Sequence, residues 1–203
     1  MKKNYNTSFS YKLNDNTEVL YRQIKSEDKK GIQEGFKFLS NNSIYTRFFS
    51  PLKRLTTKQL IHLTDVDQKN HLAWCVTSPA YPEIPGLGTC RFIRSKEFPN
   101  TAEFAITVID DFQNKGLGTE FLALLYILAL FHDIKILKGS ALNANLKLIK
   151  RFKNIGASIS WHHGECDINI PVFNDYNEFP INRYSELFIN LVKVFYDNLT
   201  ANK

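Results

Sequence analysis

The chain has 203 residues, 43 % of them apolar and 23 % charged, the balance of a soluble domain with its own core and room for a short appendage. Its net charge of +6 comes from scattered Lys and Arg with no run of five or six, so the excess reads as solubility and no nucleic-acid partner is expected. The longest apolar run, Phe121 to Phe131, is too short to cross a bilayer, and no membrane partner is expected.

The start, Met1-Lys2-Lys3-Asn4, leads into polar residues and lacks the apolar core of a secretion signal. Residues 1–16 are polar and Asn-rich and read as a flexible arm. Glu18 to Ile24 alternates as a first strand. Ser26-Glu27-Asp28 has the look of a helix start, with acids in the first turn, and Ile32, Gly35, Phe36 and Leu39 continue at helical spacing. Ile44 to Phe49 and Thr57 to Leu63 read as two short helices, the second capped by Thr56 or Thr57. Three strands follow, His71 to Thr77, Leu87 to Arg94 and Ala102 to Ile109, with Pro79, Pro82, Pro85 and Gly86 turning the chain between the first two.

Thr119 to Phe131 is helical in pattern and apolar nearly all round, so it is expected to be buried. Ile134 to Ala141 is a strand, and Asn145 to Asn154 a helix ended by Gly156. Ser158 to His162 and Asp167 to Val172 suit a hairpin around Gly164. Leu187, Leu191, Val194 and Phe195 give a last amphipathic helix. The order implies a mixed α/β layered domain, with an arm at 1–16, a core at 17–175 and a helical extension at 176–203. Cys75, Cys90 and Cys166 are far apart and odd in number, which fits a reducing cytoplasm better than a disulfide framework.

The stretch with the most chemistry in it is Gln113-Asn114-Lys115-Gly116-Leu117-Gly118-Thr119. It joins an alternating strand to an apolar helix. Glycine allows close backbone approach and positive φ, and the first helical turn offers unpaired N–H groups at the positive end of the dipole. Together they suit a phosphate or pyrophosphate. A P-loop is excluded, because Thr119 and Glu120 follow Gly118 where Lys and Ser/Thr are required. A dinucleotide fingerprint is excluded as well, because Phe121 stands where its third glycine belongs.

What remains, Gln-x-x-Gly-x-Gly, resembles the coenzyme A loop of the GNAT acetyltransferase superfamily. Ala102-Glu103-Phe104-Ala105, Val108, Asp110 and the loop glycines resemble that superfamily's central strand and loop. Asn145, with Gly156 eleven residues on, resembles its later helix. Phe38 to Phe49, Leu60, Leu63-Thr64, Val66-Asp67, His71-Leu72-Ala73 and Arg91 are similar to the Pat-type protein lysine acetyltransferases. The resemblance runs in order over about residues 18–160. It implies a GNAT fold, with a mixed central sheet whose middle strands splay, flanked by helices, and it implies acetyl-CoA as cosubstrate. The cyclic-nucleotide-binding or synthetase-like regions of many Pat proteins have no room in 203 residues, and the C-terminal helix is not explained by the shared core.

The implied reaction is acetyl transfer to an amine. An ammonium has no lone pair, so a carboxylate must take its proton, directly or through water. The resemblance places Glu103 in that role, and its apolar strand suggests a buried carboxyl with a raised pKa. Ile106, Thr107 and Val108 would pair through their backbone with the cofactor's amides. Gln113, Asn114, Lys115, Gly116, Leu117, Gly118 and Thr119 would hold its pyrophosphate, and Asn145 would touch its arm. Phe152 stands at the cofactor-side position where many relatives carry a tyrosine that protonates the leaving thiolate; Tyr45 and Tyr126 are other candidates for that acid. Arg47 reads as a substrate- or cofactor-side cation or as a structural ion-pair partner. His162, His163 and Cys166 lack a second ligand pair at zinc spacing, and no metal is expected. Three classes stay open: a protein lysine acetyltransferase, for which an acyl-CoA-forming enzyme is the expected acceptor, a small-amine acetyltransferase acting on a polyamine or antibiotic, and a non-catalytic acyl-CoA-binding module.

Overall fold

The computed structural model describes residues 5–201; the polar start read at residues 1–4 lies outside them. Eight strands form a mixed sheet in the order β1-β2-β3-β4-β5-β6-β8-β7. They are β1 Ser8–Lys12, β2 Glu18–Gln23, β3 His71–Thr77, β4 Gly88–Arg94, β5 Thr101–Val108, β6 Ile136–Leu142, β7 Ser158–Trp161 and β8 Glu165–Pro171. The helices are α1 Lys29–Gly35, α2 Asn41–Phe48, α3 Thr57–Thr64, α4 Leu117–Phe131, α5 Leu146–Asn154 and α6 Arg183–Thr200. Chain contacts divide into two compact units, residues 5–91 with 105–122, and residues 92–104 with 123–201.

In the first unit β2 pairs antiparallel with both β1 and β3. The arm expected at 1–16 is therefore structured in part: Ser8–Lys12 is a strand, and Phe9 stacks on Tyr21 with ring centroids 5.0 Å apart. Long-range pairing supplies what five residues of weak alternation do not. The first helix starts later than its acidic turn suggests. Asp28, not Ser26, serves its entry, accepting from the Lys25 N–H at 2.8 Å and pairing with Arg22. Ser40 caps α2 and Thr56 caps α3, each accepting from an N–H three residues on. Their apolar faces join Phe36 in a cluster of Ile44, Leu55 and Leu63.

Gly88 is held by close approach: an added Cβ would lie 2.6 Å from the Thr107 carbonyl oxygen and 2.8 Å from the Phe121 ring. Gly88→Ala should therefore destabilise the fold by about 1–3 kcal/mol, as overpacking does. A denaturant melt reads this directly, and an unchanged midpoint would show that the strand end yields.

In the second unit β5 and β6 run parallel, with Thr101 to Glu103 in register with Ile136 to Lys138. β8 pairs antiparallel with β6 and with β7, which makes the hairpin expected around Gly164. Phe104 lies against Gly139, where an added Cβ would come within 2.7 Å of its ring. The helix α4 is buried along Phe121 to Ala129, as its all-round apolar pattern requires. Tyr126 on α4 packs with Phe179 and with Phe188 of α6, so the C-terminal helix contributes to this core. None of the described helices is long and apolar enough to cross a membrane.

Candidate functional site

In the first unit the end of β5 leads through a 3-10 turn, Asp110–Phe112, into the Gln113–Thr119 segment and α4. Asn114 and Gly116 take positive φ, 61° and 101°. Those two turns bring the chain round so that the helix begins with its N–H groups bare. Thr119 and Glu120 donate to the Gly116 carbonyl. The N–H groups of Asn114, Lys115, Gly116, Leu117 and Gly118 have no acceptor among the described residues. A Cβ built on Gly118 meets nothing within 4 Å. Donors without acceptors, at a helix N-terminus beside open space, form a cradle that fits a phosphate or pyrophosphate.

The side chains of the loop do other work than the sequence suggests. Gln113 Nε2 donates to Ser43 Oγ at 3.0 Å, to the Val108 carbonyl at 3.1 Å and to Asp110 Oδ1 at 3.2 Å. It ties the loop to α2 and to the strand end, and occupies the Val108 carbonyl expected to meet a cofactor amide. Lys115 Nζ lies 4.5 Å from the centroid of the Phe112 ring. Ile106, Thr107 and Val108 are half-buried on β5. Arg47 donates from Nε to Thr107 Oγ1 at 3.0 Å, and its guanidinium lies over the Phe48 ring at 5.0 Å.

An open, mostly apolar cleft lies in the same unit. Phe36, Phe48, Leu55 and Leu63 supply apolar wall, and Thr107 and Arg91 reach it from the strands.

Glu103, Asn145 and Phe152 belong to the second unit. Glu103 is exposed, which corrects the expectation of a buried carboxyl: its apolar strand neighbours face the core while it faces out, opposite Lys138 in register. Asn145 caps α5, accepting from the Leu148 N–H at 3.3 Å. Phe152 is buried edge-on to Phe104 at 5.9 Å. Tyr126 is buried, and its hydroxyl accepts from the Phe173 N–H at 2.6 Å. Burial also pushes its pKa up, which makes it a poor acid for a leaving group. Tyr45 is exposed. His162 pairs with Asp167 at 2.9 Å.

Two further residues stand out by their burial. Arg91, between Cys90 and Phe92, is 4 % exposed; the signal for it was a charge inside an apolar strand. Glu120 is 3 % exposed and accepts from the Tyr21 hydroxyl at 2.5 Å; the signal was an acid opening an apolar helix.

No protein-family model matches the chain. It is 30 % identical over 118 residues to an acetyltransferase Pat of Mycolicibacterium smegmatis, a match covering 58 % of this chain and 34 % of that protein. The chain thus aligns with about a third of that relative's length. The GNAT domain of S. lividans PAT superposes with a TM-score of 0.73 at 24 % identity, over 81 % of this chain and 96 % of that one. A Salmonella typhimurium protein solved with its cofactor acetyl-CoA superposes with a TM-score of 0.60 at 14 % identity, over 77 % of this chain and 95 % of that one.

Proposed function

We propose, for a chain that has the GNAT fold and is related in sequence to Pat-type acetyltransferases, that it transfers an acetyl group from acetyl-CoA to a primary amine. The observation that carries the reading is the 113–119 turn, with its free N–H groups and the open space over Gly118. Acetyl-CoA supplies the activated acyl group as a thioester. The turn would hold its pyrophosphate, and Thr107 and its strand neighbours would align its amides. The three cysteines are free and buried, which supports a reducing cytoplasm as the setting.

Glu103 is the carboxylate proposed to take the amine's proton. Its exposure gives it access to water and to an incoming acceptor, so the proton can travel directly or through one water. Glu103→Gln preserves shape and removes the base. Turnover should fall about a hundredfold while acetyl-CoA affinity is retained. Calorimetry and a thiol-release assay on the same sample check both halves, and unchanged turnover from pH 6 to 9 would assign the base elsewhere. Phe152 has no proton to give, so water is the proposed source for the departing thiolate.

The Ser40-to-Asp67 resemblance supports a protein lysine as acceptor. Tyr45 and Phe49 are exposed there, as are Lys53 and Arg54, and these offer a docking face to an acidic surface. Phe48 is not part of that face, since it packs on the apolar cluster. A specific observation favours a small amine that carries its own carboxylate: the cleft that Thr107 shares is apolar and carries more guanidinium than carboxylate groups.

A further inference from the structure

The charged groups lining the cleft are Arg22, Asp28, Arg47 and Arg91. Arg22 and Asp28 neutralise one another in a bidentate pair, with both N–O distances 2.8 Å. Asp28 is the one carboxylate on the lining and is thereby used. Arg47 holds Thr107, and its charge acts on Arg91, whose pKa is lowered to about 10, by burial first and then by Arg47.

Arg91 is the unusual member. Its Nη1 donates to the Leu63 carbonyl at 3.1 Å and lies 3.3 Å from His71 Nε2. The other guanidinium donors have no acceptor, and the residue has no carboxylate partner, among the described residues. Its neighbour offers no negative charge either. Burial, with Arg91 beside it, holds the His71 pKa down to about 4, so that ring is neutral and can accept. Asp67, close by in sequence, is turned to the N–H groups of Lys69, Asn70 and His71. A buried guanidinium without a counter-ion is costly. Facing a cleft, it is a half-built site for a carboxylate, which a guanidinium grips through two parallel hydrogen bonds.

We propose that this cleft is the acceptor site and that the acceptor is a small amino acid: a primary amine with an apolar body and a carboxylate bound at Arg91. This rests on the acetyl-transfer reading above. The same charges repel a lysine ammonium or a polyamine. They also bias a bound amine toward its neutral form, since a like charge nearby disfavours the ammonium. The amine nitrogen forms a bond to the thioester carbonyl carbon and the carbon–sulfur bond breaks, its electron pair leaving with sulfur. The amine proton passes to water, the leaving thiolate takes a proton from water, and the products are an N-acetyl amino acid and the coenzyme thiol. A carboxylate could also reach Arg91 on the acyl group of a dicarboxylic acyl-CoA, and the donor must therefore be varied as well.

The test is thiol release by the full chain. The acceptors are methionine, leucine and phenylalanine, the amines made by removing their carboxylates, a lysine peptide and spermidine, with acetyl-CoA or succinyl-CoA as donor. The expected result is acetyl-CoA turnover with the amino acids, and kcat/KM about a hundredfold lower for the decarboxylated amines. Arg91→Gln should raise KM for the amino acid about a hundredfold while acetyl-CoA affinity is unchanged. The wild-type selectivity stands as evidence even where that variant folds poorly. Equal rates with and without the carboxylate, turnover confined to the peptide or spermidine, or a preference for succinyl-CoA would each overturn the proposal and leave acyl transfer in place. No thiol release with any amine would overturn acetyl transfer and the proposal with it.

Discussion

Gly118→Leu should abolish measurable binding of acetyl-CoA and leave the fold intact. The added side chain has room, since nothing lies within 4 Å of the Cβ position, and leucine is a better helix former than glycine. The space it fills is the space over the bare N–H groups, so any phosphate there must give up two or three charge-assisted hydrogen bonds. Affinity should drop by at least about a hundredfold. Gly116→Val is the less informative change. Gly116 sits at φ 101°, and its Cβ would lie 3.2 Å from Asn14 Nδ2, so strain of about 1–2 kcal/mol would mix with the loss of binding. Calorimetry with acetyl-CoA, paired with a thermal melt, separates the two. A Gly118→Leu protein that melts normally and binds normally would remove the turn from the site.

The elements were legible in the sequence because their signals are local. His71–Thr77 is an unbroken apolar strand between polar turns, and the run into Phe131 is apolar on every side, so both sit where periodicity puts them. Ser8–Lys12 escaped because its stability comes from partners across the sheet, Arg22 to Glu18. The loop, too, was legible as backbone, since glycine spacing reports φ directly. The side chains were not. Gln113 and Asn145 read as ligand contacts but are spent on the loop and on a helix cap. Glu103 read as buried because the residues beside it are, yet a strand shows alternate residues to opposite sides, and only the packed structure says which side is covered. Arg91 has the same origin with the opposite outcome: it is buried against the Leu63 carbonyl of α3 and His71, and a charge inside an apolar strand signals an unusual residue without saying which partners cover it.

Glu120→Gln should make the protein more stable above neutral pH, by an amount that grows from nothing below about pH 4. The Glu120 carboxyl lies in the first turn of α4, and burial raises its pKa from 4.5 to about 7 against the opposing pull of the Tyr21 hydroxyl. The folded pKa therefore stands above the unfolded one. Between about pH 4.5 and 7 the native state keeps a proton that the unfolded chain releases, so stability falls as pH rises through that window and is level above it. A shift of that size corresponds to about 3 kcal/mol at most, less whatever the helix dipole returns to the ionised form. A neutral amide has nothing to titrate and can still accept from Tyr21. At pH 8 the variant should melt about 5–10 °C higher, with most of that gap closed at pH 5. The same carboxyl has a second consequence. Its Oε1 lies 3.7 Å from the Cβ position of Gly116, beneath the turn proposed to hold pyrophosphate. Ionisation near pH 7 puts a negative charge under that anion site, so acetyl-CoA affinity should weaken from pH 6 to 8 in the wild type and stay level in Glu120→Gln. Melts and titrations at pH 5, 6, 7 and 8 read both effects from one set of samples. Parallel pH slopes in the two proteins would show that Glu120 is ionised throughout and that the Tyr21 hydroxyl suffices to hold it so.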